Sequence, residues 1–184
     1  MIMATTLDFI AQCLDQRGWT YQVDRAEQQI MTGVKAQNVD HLMILLRLTE
    51  NGKFLQFIMP QILNLKDHVY KGIAFQTMLH ISYGVKMLRF EYDPSDGEVR
   101  ASIELPLEDA TLTTAVFSRC LEGLIQLVDL QAMPRLQAVL ATGEDPGDEM
   151  ASSLTSGLMD LLLEAMPPEL QAHLGEALAR RQQS

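Results

Sequence analysis

The chain has 184 residues, 47% of them hydrophobic and 21% charged, with a formal net charge of -10. Such a composition folds rather than stays disordered, and this length suits one domain with an appendage, large enough to stand without disulfides or a structural metal. Apart from the terminal "ARRQQS" there is no Lys/Arg cluster. That excludes the cationic footprint with which proteins displace counterions from nucleic acid or settle on an anionic membrane. The charge favours a basic or amphipathic partner. Cys13 and Cys120 stand far apart with no CxxC or Cys/His metal spacing, so two buried, reduced thiols are expected. The opening "MIMATTLDFI" lacks a basic n-region and carries Asp8, unlike a signal peptide. No apolar run approaches the roughly 18 residues of a membrane span. A cytoplasmic protein is expected.

In chain order, a helix is predicted from Thr5 or Thr6 through "LDFIAQCLDQ", with Leu7, Ile10, Ala11 and Leu14 as its stripe and Gly18 as its stop. Alternation at Trp19, Tyr21 and Val23 predicts a strand, and Ile30, Thr32 and Val34 a second one after the polar "DRAEQ". "HLMILLRLTENGKFLQFIMP" reads as a hairpin. Asn51 and Gly52 both tolerate the positive φ of a type I′ turn. Pairing Glu50 with Lys53 then sets Leu48 against Leu55, Leu46 against Phe57 and Ile44 against Met59, with Arg47–Gln56 and Leu45–Ile58 on the other face. Arms apolar on both faces belong in the middle of a sheet or under cover on both sides. Asp67 to Tyr83 predicts a helix, with Gly84 at its C-terminal end. A second hairpin runs from Met87 to Leu105. From about Thr113 a long helical stretch follows, striped by Val116, Cys120, Leu124 and Leu127, with a kink or break expected at Pro134 and an end at Gly143. The acidic "GEDPGDE" reads as a linker. The domain organisation is thus an α+β domain over 1–142, a linker over 143–150 and a helical tail over 151–184.

The second hairpin, "RFEYDPSDGEVRASIEL", crowds Asp93, Asp96 and Glu98 around Gly97. An EF-hand loop with Gly97 at position 6 would start at Tyr92 and end at Ile103, which excludes a calcium loop of that kind. As a turn the stretch is coherent. If Asp93 faces Glu98, then Tyr92 faces Val99, Phe90 faces Ala101 and Leu88 faces Ile103, one unbroken apolar face, while Glu91 meets Arg100 on the other. A slip of one residue ruins both faces.

These residues carry a resemblance. "MLRFEYDPSDGEVRASIELPLEDATLT" is similar to the hairpin of the YbjN family of bacterial sensory transduction regulators: an RF-x-x-D strand, a DG turn, and a second strand ending in Leu-Pro-Leu. Here these are Arg89, Phe90, Asp93, Asp96, Gly97, Leu105, Pro106 and Leu107. "LDFIAQCLDQRGWTYQVD" resembles that family's first helix and strand. The likeness spans about Thr5 to Ala141 and departs at Leu88, where glycine is common, and at Ser82, where asparagine is. It implies a fold similar to type III secretion chaperones, two-layered and often dimeric, and brings no catalytic residues with it.

The residues offer little chemistry. His68 and His80 are more than three helical turns apart and share neither metal nor proton. No P-loop, GxSxG, HxxxH or Rossmann fingerprint occurs. Met31, Met43, Met59, Met78 and Met87 fall on element faces and are expected in the core, although methionine-rich surfaces also suit peptide binding. The tail carries Leu154, Leu158, Leu161, Leu162, Leu163, Leu170, Leu174 and Leu178. At roughly 1.5–3 kcal/mol each, leaving all eight in water forgoes more than about 10 kcal/mol. Leu158, Leu161, Leu162, Leu170, Leu174 and Leu178 are therefore candidate contacts to a partner or a dimer mate. The expected architecture is an antiparallel sheet of five to six strands packed with helices. The expected function is a non-enzymatic protein-binding module, chaperone-like or a regulatory adaptor, homodimeric, without cofactor or metal. The alternative is a small-molecule-sensing regulator with a pocket between sheet and helices.

Overall fold

The computed structural model describes residues 5–108 and 110–147. Its elements are α1 (Leu7–Asp15), β1 (Tyr21–Asp24), β2 (Gln29–Lys35), β3 (His41–Thr49), β4 (Phe54–Asn64), α2 (Lys71–Gly84), β5 (Arg89–Tyr92), β6 (Glu98–Pro106), α3 (Thr114–Gln126) and α4 (Met133–Thr142). The strands form one antiparallel sheet in the order β1-β2-β3-β4-β6-β5. The α+β class, the six strands and the element order agree with the sequence reading.

Local chemistry fixes the boundaries. Thr6 caps α1 by accepting the Phe9 N–H at 3.3 Å, and Gly18, at φ +67°, ends the turn beyond it. The Trp19 N–H is spent on the Leu14 carbonyl at 3.1 Å, so the first ladder begins at Tyr21 rather than at Trp19. In the β3–β4 hairpin Asn51 and Gly52 take φ +56° and +84°, and the Lys53 N–H meets the Glu50 carbonyl at 3.3 Å, the bond of a type I′ turn. Glu50 also has positive φ, +52°. The Glu50–Lys53 pair therefore falls outside the ladder, which starts at Thr49–Phe54 in the predicted register.

β4 runs further than its first arm. Between Met59 and Leu63 its pairing with β6 shifts. Pro60, which has no N–H to give a ladder, and Gln61, at φ +51°, make the bulge. Beyond it Leu63 and Asn64 pair with Val99 and Glu98. α2 starts at Lys71, four residues after the predicted start. Leu65 to Tyr70 forms turns instead, in which the His68 N–H donates to the Leu65 carbonyl, the Lys71 N–H to the His68 carbonyl and the Tyr70 N–H to His68 Nδ1.

The break expected near Pro134 falls just before it, where α3 gives way to α4. Leu127–Ala132 widens into a π-helical turn that runs straight into α4. An α-helix here would lack the N–H at position 134 and press the proline ring on the carbonyl of Leu130. In the wider turn the Met133 N–H bonds the Val128 carbonyl, five residues back, and the Asp129 carbonyl is met by Asn38 Nδ2 at 2.9 Å.

The core lies between the helices and one face of the sheet. Ile30, Ile44, Leu46, Leu55, Phe57, Met59 and Ala101 from the sheet and Leu14, Phe117, Leu121, Leu124 and Leu136 from the helices are all 0% exposed. Phe57 meets Phe117 with ring centroids 5.5 Å apart. Met59 and Met78 are buried as expected. Met31, Met43 and Met87 are not; they are 37%, 44% and 53% exposed. The reason for the first two is parity: they stand on the sheet face opposite the core.

Candidate functional site

The second face of the sheet is ordered into cross-strand rows. In one, Gln22, Met31, Leu45, Ile58, Ser102 and Arg89 stand side by side on β1, β2, β3, β4, β6 and β5. In the next, Asp24, Gln29, Arg47, Gln56 and Glu104 do the same. Met43 and Gly33 pair beyond the first row. Ile58 is 4% exposed yet lies outside the main core cluster.

These rows divide the face into two halves of different chemistry. Towards β5 the side chains are bonded to one another. Arg89 reaches Glu91 and Glu104, both at 2.8 Å, and Arg100 reaches Glu91 at 2.6 Å. Gln56 donates to Glu104 at 2.5 Å. The hydrogen bond to Glu91 holds the Arg100 guanidinium above its ordinary pKa. Within this lattice Ser102 is fully buried, and its Oγ has no hydrogen-bond partner among the described residues. Towards β1 an exposed apolar strip borders the polar row of Asp24, Gln29 and Arg47, in which Arg47 donates to Gln29 at 3.3 and 3.1 Å. Met31, Met43 and Leu45 present the strip, and Gly33 leaves room beside Met43. A hollow of about 360 Å³ is lined by Thr20, Tyr21, Gln22, Met31, Thr32 and Met43, and one of about 300 Å³ by Gln22, Val23, Asp24, Arg25, Gln29 and Met31. Both run along β1, on either side of Met31.

The acidic hairpin tip is committed to its own backbone. Asp93 Oδ1 accepts the Ser95 N–H at 2.8 Å and the Ser95 hydroxyl at 2.6 Å, which hold the Asp93 carboxyl below its ordinary range. Asp96 Oδ1 accepts the Glu98 N–H at 2.9 Å, and Glu98 Oε1 accepts the Gln61 N–H of the β4 bulge at 3.0 Å. The predicted register is confirmed: Tyr92–Val99, Glu91–Arg100 and Phe90–Ala101 pair, and the Asp93 N–H bonds the Glu98 carbonyl at 2.9 Å. A hollow of about 370 Å³ opens beside the tip, lined by Glu91, Tyr92, Asp93, Pro94, Glu98 and Arg100.

Two further polar sites hold the helices. Asp129, inside the π-turn and 4% exposed, accepts the N–H groups of Gln37 and Asn38 at 2.8 and 2.9 Å, while its own carbonyl accepts Asn38 Nδ2 at 2.9 Å. Arg135 on α4 grips Asp145 with two bonds of 2.9 and 2.7 Å and lies 3.0 Å from His80 Nδ1; Thr77 donates to Asp145 at 3.0 Å. Asp145 belongs to the stretch read as a linker, and the compact unit ends with it. His80 and His68 thus serve different partners, as their spacing implied. Cys13 and Cys120 are buried and unpaired with each other, and burial raises both thiol pKa values. Leu158, Leu161, Leu162, Leu170, Leu174 and Leu178 lie outside the described residues.

The sequence reading pairs Leu45 with Ile58 and Arg47 with Gln56 on the second face of strands expected under cover on both sides, and expects Met31 and Met43 in the core. The signal that would have found them was parity, since Met31 alternates with Ile30 and Thr32. No helix of the described residues is long and apolar enough to cross a membrane.

No protein-family model matches the chain, and no curated protein matches its sequence. Among solved structures the chain is similar to that of YbjN from E. coli, described as a candidate transcription regulator. The TM-score is 0.56 at 13% identity, over 75% of this chain and 94% of that one. At this identity the likeness is one of fold, and the chain carries a YbjN-like α+β fold.

Proposed function

We propose that this chain is a non-enzymatic protein-binding module, a chaperone-like or regulatory adaptor that acts in the cytoplasm as a homodimer, and a distant relative of the YbjN family. One observation carries the reading. The β1–β3 half of the outer sheet face presents Met31, Met43 and Leu45 beside two shallow hollows. Methionine is unbranched and polarizable, and it adapts to varied apolar side chains. The shared fold with a described candidate regulator fits an adaptor role. Leu158, Leu161, Leu162, Leu170, Leu174 and Leu178 supply a second apolar contact, on sequence grounds.

The test is capture from the native organism with the full chain and with the double variant Met31→Glu, Met43→Glu. Both positions are exposed, so folding should be unchanged by circular dichroism. A stoichiometric protein partner is expected with the native chain, and binding about tenfold weaker or worse with the variant. Equal capture by both would refute this face as the site, and a small metabolite retained in native mass spectrometry with no protein partner would refute the module itself.

A further inference from the structure

The two edges of the sheet are unlike. β5 carries Arg89 and Glu91, whose charges are tied into the lattice with Arg100 and Glu104. Charged side chains on an edge oppose pairing with another strand. β1 has no such guard over Tyr21, Gln22 and Val23, and its carboxylate, Asp24, is turned onto the N–H groups of Ala26 and Glu27 at 3.0 and 3.1 Å. Among the described residues no strand pairs with β1 on its outer side. Val23 is 40% exposed, although Ile30, its partner across the ladder, is 0% exposed. As on any edge strand, alternate backbone N–H and C=O groups of β1 point away from the sheet.

We propose that β1 pairs antiparallel with β1 of a second copy, about a two-fold axis at Gln22, joining the two six-stranded sheets edge to edge. This deepens the homodimer reading above and rests on it. Symmetry limits the register, and the side chains choose within it. Residues directly opposite in an antiparallel pair share a face, so self-pairing must match residues of equal parity. Centred on Gln22, the axis sets Gln22 against Gln22 of the partner subunit, Tyr21 against Val23 and Thr20 against Asp24. On the core side, an aromatic then meets a β-branched residue on both flanks of the axis, a favourable cross-strand pair. On the outer side, amide faces amide and hydroxyl faces carboxylate. No like charges are opposed.

The pairing has a consequence for the outer face. Gln22, Met31, Leu45 and Ile58 already stand in one cross-strand row. The dimer extends that row through both copies, with the two Met31 side chains three strand spacings apart, about 14 Å. A partner then meets two adjacent apolar patches related by symmetry, and a partner that reaches both gains avidity.

Sedimentation of the full chain over a range of concentrations, with Gln22→Lys and Gln22→Glu, tests the register. Gln22 is exposed, so either change leaves the monomer intact. The native chain should dimerise. Each variant alone places like charges face to face and should self-associate at least tenfold more weakly. An equimolar mixture of the two should restore a mixed dimer. A native chain that stays monomeric, a Gln22→Lys chain that dimerises like the native one, or a mixture that fails to pair would each overturn the proposal. Capture of a protein partner by the native chain is measured in parallel. A native chain that dimerises but captures no partner counts against the binding-module reading alone, whereas one that captures a partner while staying monomeric counts against the strand pairing alone.

Discussion

Replacing Asp129 by alanine tests how the proline-bearing helix is tied to the sheet. The carboxylate accepts two backbone N–H groups of the β2–β3 loop at 2.8 and 2.9 Å and is 4% exposed. Hydrogen bonds to a charged group contribute about 1.5–3 kcal/mol each. Gln37 and Asn38 lie in an exposed loop, so water replaces part of what they lose, and the variant no longer buries a carboxylate. The expected net loss is about 2–3 kcal/mol, which for a domain of this size lowers the melting temperature by about 5–10 °C. Asp129→Asn keeps one acceptor and should lose about half as much. Differential scanning calorimetry reads the stability. Hydrogen exchange at the Gln37 and Asn38 amides reads the contact itself and should quicken in both variants. A melting temperature within about a degree of the native one, with unchanged exchange at these two amides, would show that Asp129 does not anchor the loop.

Gly97→Ala should cost about 3 kcal/mol or more, because Gly97 has φ +84° and a Cβ there would overlap the backbone of Lys66; a loss under about 1 kcal/mol in urea unfolding would refute the close approach. Asp93 should titrate below the ordinary carboxylate value of 3.8, because the Ser95 hydroxyl and then the Ser95 N–H favour its charged form. With the folded value depressed, the stabilisation is complete above the unfolded value and fades as pH falls through the folded one. Carbon-detected NMR titration should find the Asp93 value moving up towards 3.8 in Ser95→Ala; no movement would mean that Ser95 is not its main partner.

The registers were legible in the sequence because each rested on two faces at once. Leu48–Leu55 with Arg47–Gln56, and Phe90–Ala101 with Glu91–Arg100, leave one alignment each, and both hold. What lay hidden depended on partners distant in the chain. The late start of α2 follows from the turns at Leu65–Tyr70, which lie against the hairpin tip. There the Leu65 N–H bonds the Gly97 carbonyl at 2.8 Å and Asn64 Nδ2 the Asp96 carbonyl at 2.9 Å. In the π-turn before Pro134, Asp129 meets the β2–β3 loop, far away in the chain, and nothing local announces that meeting. The exposed methionines failed for another reason. A strand of mixed apolar and polar residues has a parity, and weighting hydrophobicity alone discards it.

Parity also explains why the acidic tip matters to a face that it never joins. Pro60, Gln61 and Ile62 of β4 stand between Met59, opposite Ala101, and Leu63, opposite Val99. Three residues therefore span the interval that β6 crosses with Arg100 alone. A bulge of that size leaves the strand free to slip unless its stray donor is held, and the Glu98 carboxylate holds it, at the Gln61 N–H. Glu98 is itself placed by Asp96, whose carboxylate accepts its N–H, and by the Asp93 N–H, which donates to its carbonyl. Were β6 to slip by one residue, Ala101 and Ile103 would leave the core and Arg100, Ser102 and Glu104 would enter it. The acids of the turn thus keep Arg100 and Glu104 on the outer face, where they bind Glu91 and Arg89 and confine the open apolar part of that face to Met31, Met43 and Leu45. A hairpin tip that could pass for an ion site instead sets the boundary of the proposed protein-binding surface.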